Sequence, residues 1–261
     1  MIARRPVSRE QSSSPALPDR HPSSSFLCES MDELDIGARF LDGLSAAERR
    51  RVSACGRPLT FRPGAQIFAQ GSEHEGIYII DQGQVRVFYT APSGREITLA
   101  YWSPGHFIGG PEICGGGIHM WSGEAVEDCR ITLLPSAAVR SLIAEMPSFA
   151  LSLIEGLVAK GKCYSSMAQM LGTRSVIERL AQYLLNLGQL YGRPDGTAVT
   201  IQRKVTHEEI AAMVGSTRQW VSMMLNRFKK AGILSASGRY IRIERREKLE
   251  DVLYRDNGPF C

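Results

Sequence analysis

Residues 205–234 read VTHEEIAAMVGSTRQWVSMMLNRFKKAGIL, and this stretch decides what the C-terminal part of the chain is. Thr206 and Glu209 have the spacing of a capping box, in which a hydroxyl and a carboxylate satisfy amide groups that the first turn of a helix leaves bare. Ile210, Ala211 and Val214 fall on one apolar face of that helix. Gly215 stands where the helix must stop and the chain turn sharply, a place for a residue at ease with positive φ. Ser216 or Thr217 then caps a second helix with an apolar stripe of Val221, Met224, Leu225 and Phe228. Its other face shows Arg218, Gln219, Ser222, Met223, Asn226, Arg227, Lys229 and Lys230. Helix, glycine turn and helix make a helix-turn-helix unit.

The exposed face suits double-stranded DNA. Side chains in the first turn of a recognition helix reach base edges in the major groove. Arginine pairs bidentately with guanine and glutamine with adenine. The base-reading candidates on the recognition helix Thr217–Lys230 are therefore Arg218, Gln219, Ser222 and Met223. Phosphates are met by helix N-termini and flanking polar or basic groups. The candidates there are Thr206, Ser216, Thr217, Arg227, Lys229, Arg239 and Tyr240, the last two on a wing formed by short strands around Ser237-Gly238 in ILSASGRYIRIERR. Charge agrees: the net charge is +4, while residues 200–261 hold twelve Lys/Arg against seven Asp/Glu, a basic module on a near-neutral body.

Upstream the pattern changes. FRPGAQIF, GIYIIDQGQVRVFYT, REITLAYW and RITLLP are β-branched, aromatic or alternating segments, separated by Pro63-Gly64, Gln70-Gly71, Gln82-Gly83, Ser93-Gly94 and Pro104-Gly105. They predict an all-β roll. From Pro147 to about Leu171 one long helical pattern follows, with a seam of Leu153, Leu157, Gly161, Tyr164, Ala168 and Leu171, and a second apolar face of Leu151, Ile154 and Val158. Two apolar faces need two partners, so one packs on the roll and the other on a second copy of the chain. The dimer seam is assigned to Leu153, Leu157, Tyr164, Ala168 and Leu171. After a break at Gly172-Thr173, Ser175 and Glu178 cap another helix to about Leu190, which ends in a loop, residues 191–196. The fold class is α+β. A Ser/Pro/Arg-rich disordered leader spans 1–30, a β-roll effector domain 31–146, a dimerisation helix and hinge 147–172, and a winged helix-turn-helix domain 173–261.

This order of parts resembles the family of the cyclic AMP receptor protein and the FNR regulators, over about residues 35–250. The resemblance is most specific in EEIAAMVGSTRQWVSMMLNRFKKAGIL. It implies a cyclic-nucleotide-binding-like jelly roll and a transcription factor acting as a homodimer on a palindromic site. RNA polymerase would be a further partner if the protein activates. The family's reading positions of Arg, Glu and a second Arg correspond to Arg218, Gln219 and Met223.

The roll departs from the family's nucleotide cassette. Gly109 matches, but Gly110 stands where the family has the ribose-binding Glu, and His119 or Met120 stands near its phosphate-binding Arg. Between Glu96 and Cys129 there is no Lys or Arg. A buried phosphate needs a cation or dense N–H groups, so the expected effector is a small molecule other than cyclic AMP. Its expected pocket is Phe107, Gly109, Gly110, His119, Met120, Trp121, Tyr164 and Ser165.

Other classes are weaker. A cupin-like metal-dependent enzyme needs an HxH pair, and the histidines at 21, 74, 106, 119 and 207 offer none. The chain is read as no enzyme, with no metal site and no firm cofactor. Haem would require His106 or His119, and redox sensing Cys114, Cys129 or Cys163. Six cysteines without a CxxC, and no apolar run long enough for a membrane helix, point to a cytoplasmic protein with no membrane partner.

Overall fold

The computed structural model describes residues 24–29, 40–237 and 240–254. A short helix α1 (Ala46–Ala54), opened by a Ser45–Glu48 capping box, precedes eight strands. These are β1 (Arg57–Phe61), β2 (Gln66–Phe68), β3 (Gly76–Gln82), β4 (Val85–Thr90), β5 (Glu96–Trp102), β6 (Phe107–Ile108), β7 (Ser122–Ala125) and β8 (Cys129–Pro135). They form two antiparallel four-stranded sheets, ordered β1-β8-β3-β6 and β2-β7-β4-β5. Alternating side chains of β4 and β8 (Val85, Val87, Ile131 and Leu133) fill the space between the sheets. This is the roll the sequence predicts.

Helix α2 (Ser136–Glu145) leads into α3 (Pro147–Thr173), which crosses the roll. Pro147 occupies the first turn, where its missing N–H costs nothing. Gly156 lets the helix approach closely, since a Cβ there would meet the Phe107 ring at 2.6 Å.

Most of the residues expected at the dimer seam are packed wholly or partly by their own chain. Leu153 is buried and Leu157 packed in the cluster around Phe107 and Phe149. Tyr164 packs on the cluster of Trp102 and Cys163, and Leu171 on the core of the DNA-binding unit. Only Ala168 of the five is exposed. The outward face carries Leu151, Ile154 and Val158, which are 62%, 55% and 52% exposed. Gly161, Ser165, Ala168 and Gly172 continue that face, so exposed positions recur at alternating spacings of three and four from Leu151 to Gly172. Both faces are apolar, and periodicity alone does not say which one the roll takes.

The expectation of a disordered leader is corrected for residues 24–29. Ser25 exchanges backbone hydrogen bonds with Tyr101 at 2.9 and 2.7 Å, adding a short bridge beside β5. Phe26, Leu27 and Cys28 are fully buried. Asn186 Nδ2 donates to the Cys28 carbonyl at 3.0 Å, and Gln182 Nε2 donates to the Glu29 carbonyl at 2.9 Å. The segment thus ties the roll to the C-terminal unit. The rest of the predicted leader lies outside the described residues.

The C-terminal unit comprises α4 (Val176–Tyr191), β9 (Gly192–Asp195), β10 (Ala198–Ile201), α5 (His207–Val214), α6 (Arg218–Lys230), β11 (Leu234–Ser237), β12 (Tyr240–Ile243) and α7 (Arg246–Tyr254). The Ser175–Glu178 capping box opens α4. The predicted loop after α4 is instead an edge strand: β9 pairs with β10, and Pro194 is tolerated because an edge need not donate on both sides. β11 and β12 pair as the wing hairpin of the sheet β11-β12-β10-β9.

Candidate nucleic-acid interface and effector cavity

The helix-turn-helix is built locally as its residues dictate. Thr206 Oγ1 accepts from Glu209 N at 3.1 Å, and Thr206 N donates to the Glu209 carboxylate at 2.6 Å. Gly215 takes φ 65°, and the following Ser216 N donates to Ala211 O at 2.9 Å, closing the turn. Thr217 Oγ1 caps α6 by accepting from Trp220 N at 3.2 Å. Val221, Met224, Leu225 and Phe228 bury the inner face of α6 against α5 and its neighbours.

The outer face is available to a ligand. Arg218 and Gln219 are exposed in the first turn of α6, and Met223 is 50% exposed one turn on. Arg218 Nε forms an exposed ion pair with Glu208 at 3.0 Å. Ser222 is different: it is half-buried, and its hydroxyl is hydrogen-bonded to His207 Nδ1 at 2.6 Å, which turns it toward α5. Arg227, Lys229 and Lys230 are exposed in the last turns of α6, where cations also complement the helix dipole. Tyr240 begins β12 on the wing, while Arg239 lies outside the described residues. A capped helix N-terminus flanked by cations and an Arg-Gln pair is chemically fit for a polyanion with readable base edges.

The unit is docked on the roll. The Arg203 guanidinium stacks 4.4 Å over the Tyr101 ring of β5 and 5.5 Å over Tyr191, and pairs with Glu209 of α5 at 3.6 Å. Arg95 donates to the Gly215 carbonyl in the turn itself. Leu27, Tyr101 and Met167 share one continuous core with α4, α5 and α6.

Between the roll and α3 lies a cavity of about 230 Å³. Its lining includes Gly109, Gly110, Trp121 and Tyr164 of the predicted set. The other four are placed elsewhere. Phe107 is buried beneath α3 against Phe40 and Phe149. His119 is buried, donates from Nδ1 to the Gly109 carbonyl, and stacks on Phe68 at 4.5 Å. Met120 is 57% exposed, and Ser165 lies on the outer face of α3. His119, Met120 and Trp121 lie in the irregular segment ahead of β7, which sends His119 into the core, Met120 to solvent and Trp121 to the cavity, so these sequence neighbours do not share a site.

The residue that sequence reasoning missed is Lys160 of α3. It lines the cavity, and its Nζ lies 3.8 Å over the Trp102 ring and 4.6 Å over Phe107. No carboxylate forms an ion pair with it among the described residues. Burial pushes its pKa down to about 7. The absence of Lys and Arg from Glu96–Cys129 therefore does not leave the cavity without a cation, because the cation arrives from another element. Its neighbours in the same cluster are neutral: burial pushes the Cys163 thiol and the Tyr164 phenol up, and the Cys28 thiol up to about 12.

Those raised thiols are poor redox nucleophiles, and burial raises Cys129 as well. Of the cysteines named for redox sensing, Cys114 is exposed. The two histidines a haem would need are buried in the roll, with His106 Nδ1 3.2 Å from the Ser103 carbonyl and His119 bonded to Gly109; neither lines the cavity.

A winged helix-turn-helix on a nucleotide-binding-type roll defines a DNA-binding transcription regulator with an effector domain. Comparison with known proteins agrees. Residues 178–252 match the Crp-like helix-turn-helix domain and residues 58–146 the cyclic nucleotide-binding domain. The regulatory protein HlyX of Actinobacillus pleuropneumoniae is 30% identical over 183 residues, 70% of this chain and 76% of that protein. A CRP-like cAMP-activated global transcriptional regulator of Mycobacterium tuberculosis is 29% identical over 220 residues, 84% of this chain and 98% of that protein. A solved CooA variant from Carboxydothermus hydrogenoformans superposes with a TM-score of 0.65 at 25% identity, covering 77% of this chain and 89% of that one. The chain belongs to the CRP/FNR family of regulators.

Proposed function

We propose that this regulator is a cytoplasmic homodimer that reads a palindromic promoter site through α6 and is switched by a small effector other than cyclic AMP in the roll cavity. The observation that carries the DNA reading is the solvent-facing Arg218-Gln219 pair in the capped first turn of α6. Arg218, Gln219 and Met223 face the bases, with a guanine under Arg218, while Ser222 holds His207 in place. Thr206, Ser216, Thr217, Arg227, Lys229, Arg239 and Tyr240 meet the backbone, and RNA polymerase is a further partner if the protein activates. Self-association is supported by the exposed stripe from Leu151 to Gly172, whose large residues supply apolar area and whose small ones allow close helix approach.

Against cyclic AMP stand the size and chemistry of the cavity. A cavity of about 150 Å³ accommodates benzene, so the space of about 230 Å³ here, half open to solvent, holds roughly nine non-hydrogen atoms within its walls by proportion. A purine nucleotide has more than twice as many. Among the described residues no carboxylate lines the cavity to receive a ribose hydroxyl.

The test is selection of bound sites from random DNA followed by Arg218→Ala. The variant should lose about 1–3 kcal/mol on the selected site and relax the preference at one position per half-site. Unchanged affinity would remove Arg218 from the base-reading set.

A further inference from the structure

The cavity's polar side chains are nearly all donors. Lys160 Nζ, Trp102 Nε1 and Trp121 Nε1 can only donate, and the Tyr164 hydroxyl can do either. Trp102 is fully buried, and its Nε1, though near the Tyr164 oxygen, has no acceptor at hydrogen-bonding geometry. Lys160 has ring faces for company and no carboxylate. A half-buried cation with no counter-charge and a buried N–H with no acceptor are both costly unless something accepts from them. They therefore ask for the same thing, an acceptor carrying negative charge.

The rest of the wall is apolar. Val87, Ile108, Leu157 and the rings of Trp121 and Tyr164, whose centroids are 5.7 Å apart, enclose a space too large for a simple inorganic anion to fill. An occupant must bring a flat apolar body as well as a charge.

We propose that the roll cavity takes a small aromatic carboxylate, its ring against Trp121 and Tyr164 and its carboxylate on Lys160 Nζ. This rests on the reading of the cavity as the effector site and adds the chemical class of the ligand. The carboxylate supplies the counter-charge that the protein withholds, so binding draws the lysine back to its protonated form. The groups facing Lys160 are Cys163 and Tyr164 on its own helix, with Trp102 and Phe107 from the roll; Cys28 of the N-terminal segment joins the same cluster, and His106 packs on Trp102 at 5.1 Å. Across neutral pH the lysine is thus the group here that a carboxylate can satisfy.

The experiment titrates the full chain with sodium phenylacetate at pH 6.5 and follows tryptophan fluorescence, since two of the three tryptophans line the cavity. Phenylacetamide, which has the same shape without the charge, and cyclic AMP are titrated alongside. Phenylacetate should give saturable quenching, with the amide at least tenfold weaker. Lys160→Met should lose tenfold or more for the acid and little for the amide. Equal binding of acid and amide, or acid binding that ignores Lys160→Met, would overturn the carboxylate assignment while leaving a neutral effector in the same cavity. Absence of saturable quenching by both phenylacetate and benzoate would overturn it as well. Tight saturation by cyclic AMP would instead overturn the underlying reading of the effector. The acid–amide comparison is made on the unaltered protein, so it decides the matter even if the variant folds poorly.

Discussion

Leu27→Ala tests whether the N-terminal segment is part of the folded molecule. Leu27 is fully buried and shares a core with Tyr101 of the roll, Met167 of α3 and the helices of the DNA-binding unit. The backbone on either side is fixed, by the Ser25–Tyr101 bridge and by Asn186 and Gln182 holding the Cys28 and Glu29 carbonyls. The side chain therefore cannot slide to fill the space its truncation leaves. Fully buried leucine-to-alanine changes cost about 2–5 kcal/mol, with larger losses where the site cannot collapse. About 3 kcal/mol is the expected value here. For a chain of this size each kcal/mol lowers Tm by roughly 2–4 °C, so the midpoint should fall by about 6–12 °C. Thermal unfolding followed by circular dichroism reads this directly. Asn186→Ala, which frees the Cys28 carbonyl, should move the midpoint the same way by less. If Leu27→Ala leaves Tm unchanged, the segment is not docked in solution and the tie between roll and DNA-binding unit fails.

Ile154→Glu places a charge on the outward face of α3, where the side chain is 55% exposed, so it should leave the fold intact. It should shift sedimentation toward monomer and weaken DNA binding; an unchanged dimer would place the interface elsewhere. Glu208→Gln releases Arg218 from an exposed ion pair and removes a negative charge beside the DNA face. Exposed pairs are worth at most about 1 kcal/mol, so affinity should rise severalfold by fluorescence anisotropy, and a fall would mean Glu208 orients Arg218 productively. Lys160→Met should be more stable than the parent near pH 6–7, because it removes a half-buried cation whose pKa desolvation pushes down to about 7. Between that value and the ordinary lysine value the unfolded chain binds the extra proton, so the parent gains stability as pH rises. The gap in Tm should close toward pH 10, and a gap independent of pH would show that Lys160 keeps its charge at no cost.

The DNA-binding half was legible because its signals are local. A capping box, a glycine that must take positive φ and an apolar stripe all act within a few residues, and Thr206, Gly215 and Thr217 do in the structure what their types demand. The cavity was less legible because its walls come from distant segments. Lys160 sits in a helix that reads as a packing element, and only the crossing of α3 over the roll brings it to Trp102. The face of α3 that the roll takes was hidden for a related reason: α3 is apolar on two faces, and the choice between them depends on where Phe107 and Trp102 wait. Phe26-Leu27-Cys28 was lost in a Ser/Pro/Arg-rich context, where three apolar residues carry little weight until β5 offers an edge. The strand β9 was hidden by Gly192 and Pro194, residues that an edge strand tolerates and a central strand does not.

The central claim is that two copies of this chain read one symmetric DNA site through α6. It is tested most directly by measuring how many chains bind a site selected from random DNA, together with the footprint. Two chains per site are expected, with protected half-sites centred about 34 Å apart and related by a two-fold axis. One chain on an asymmetric site would contradict it.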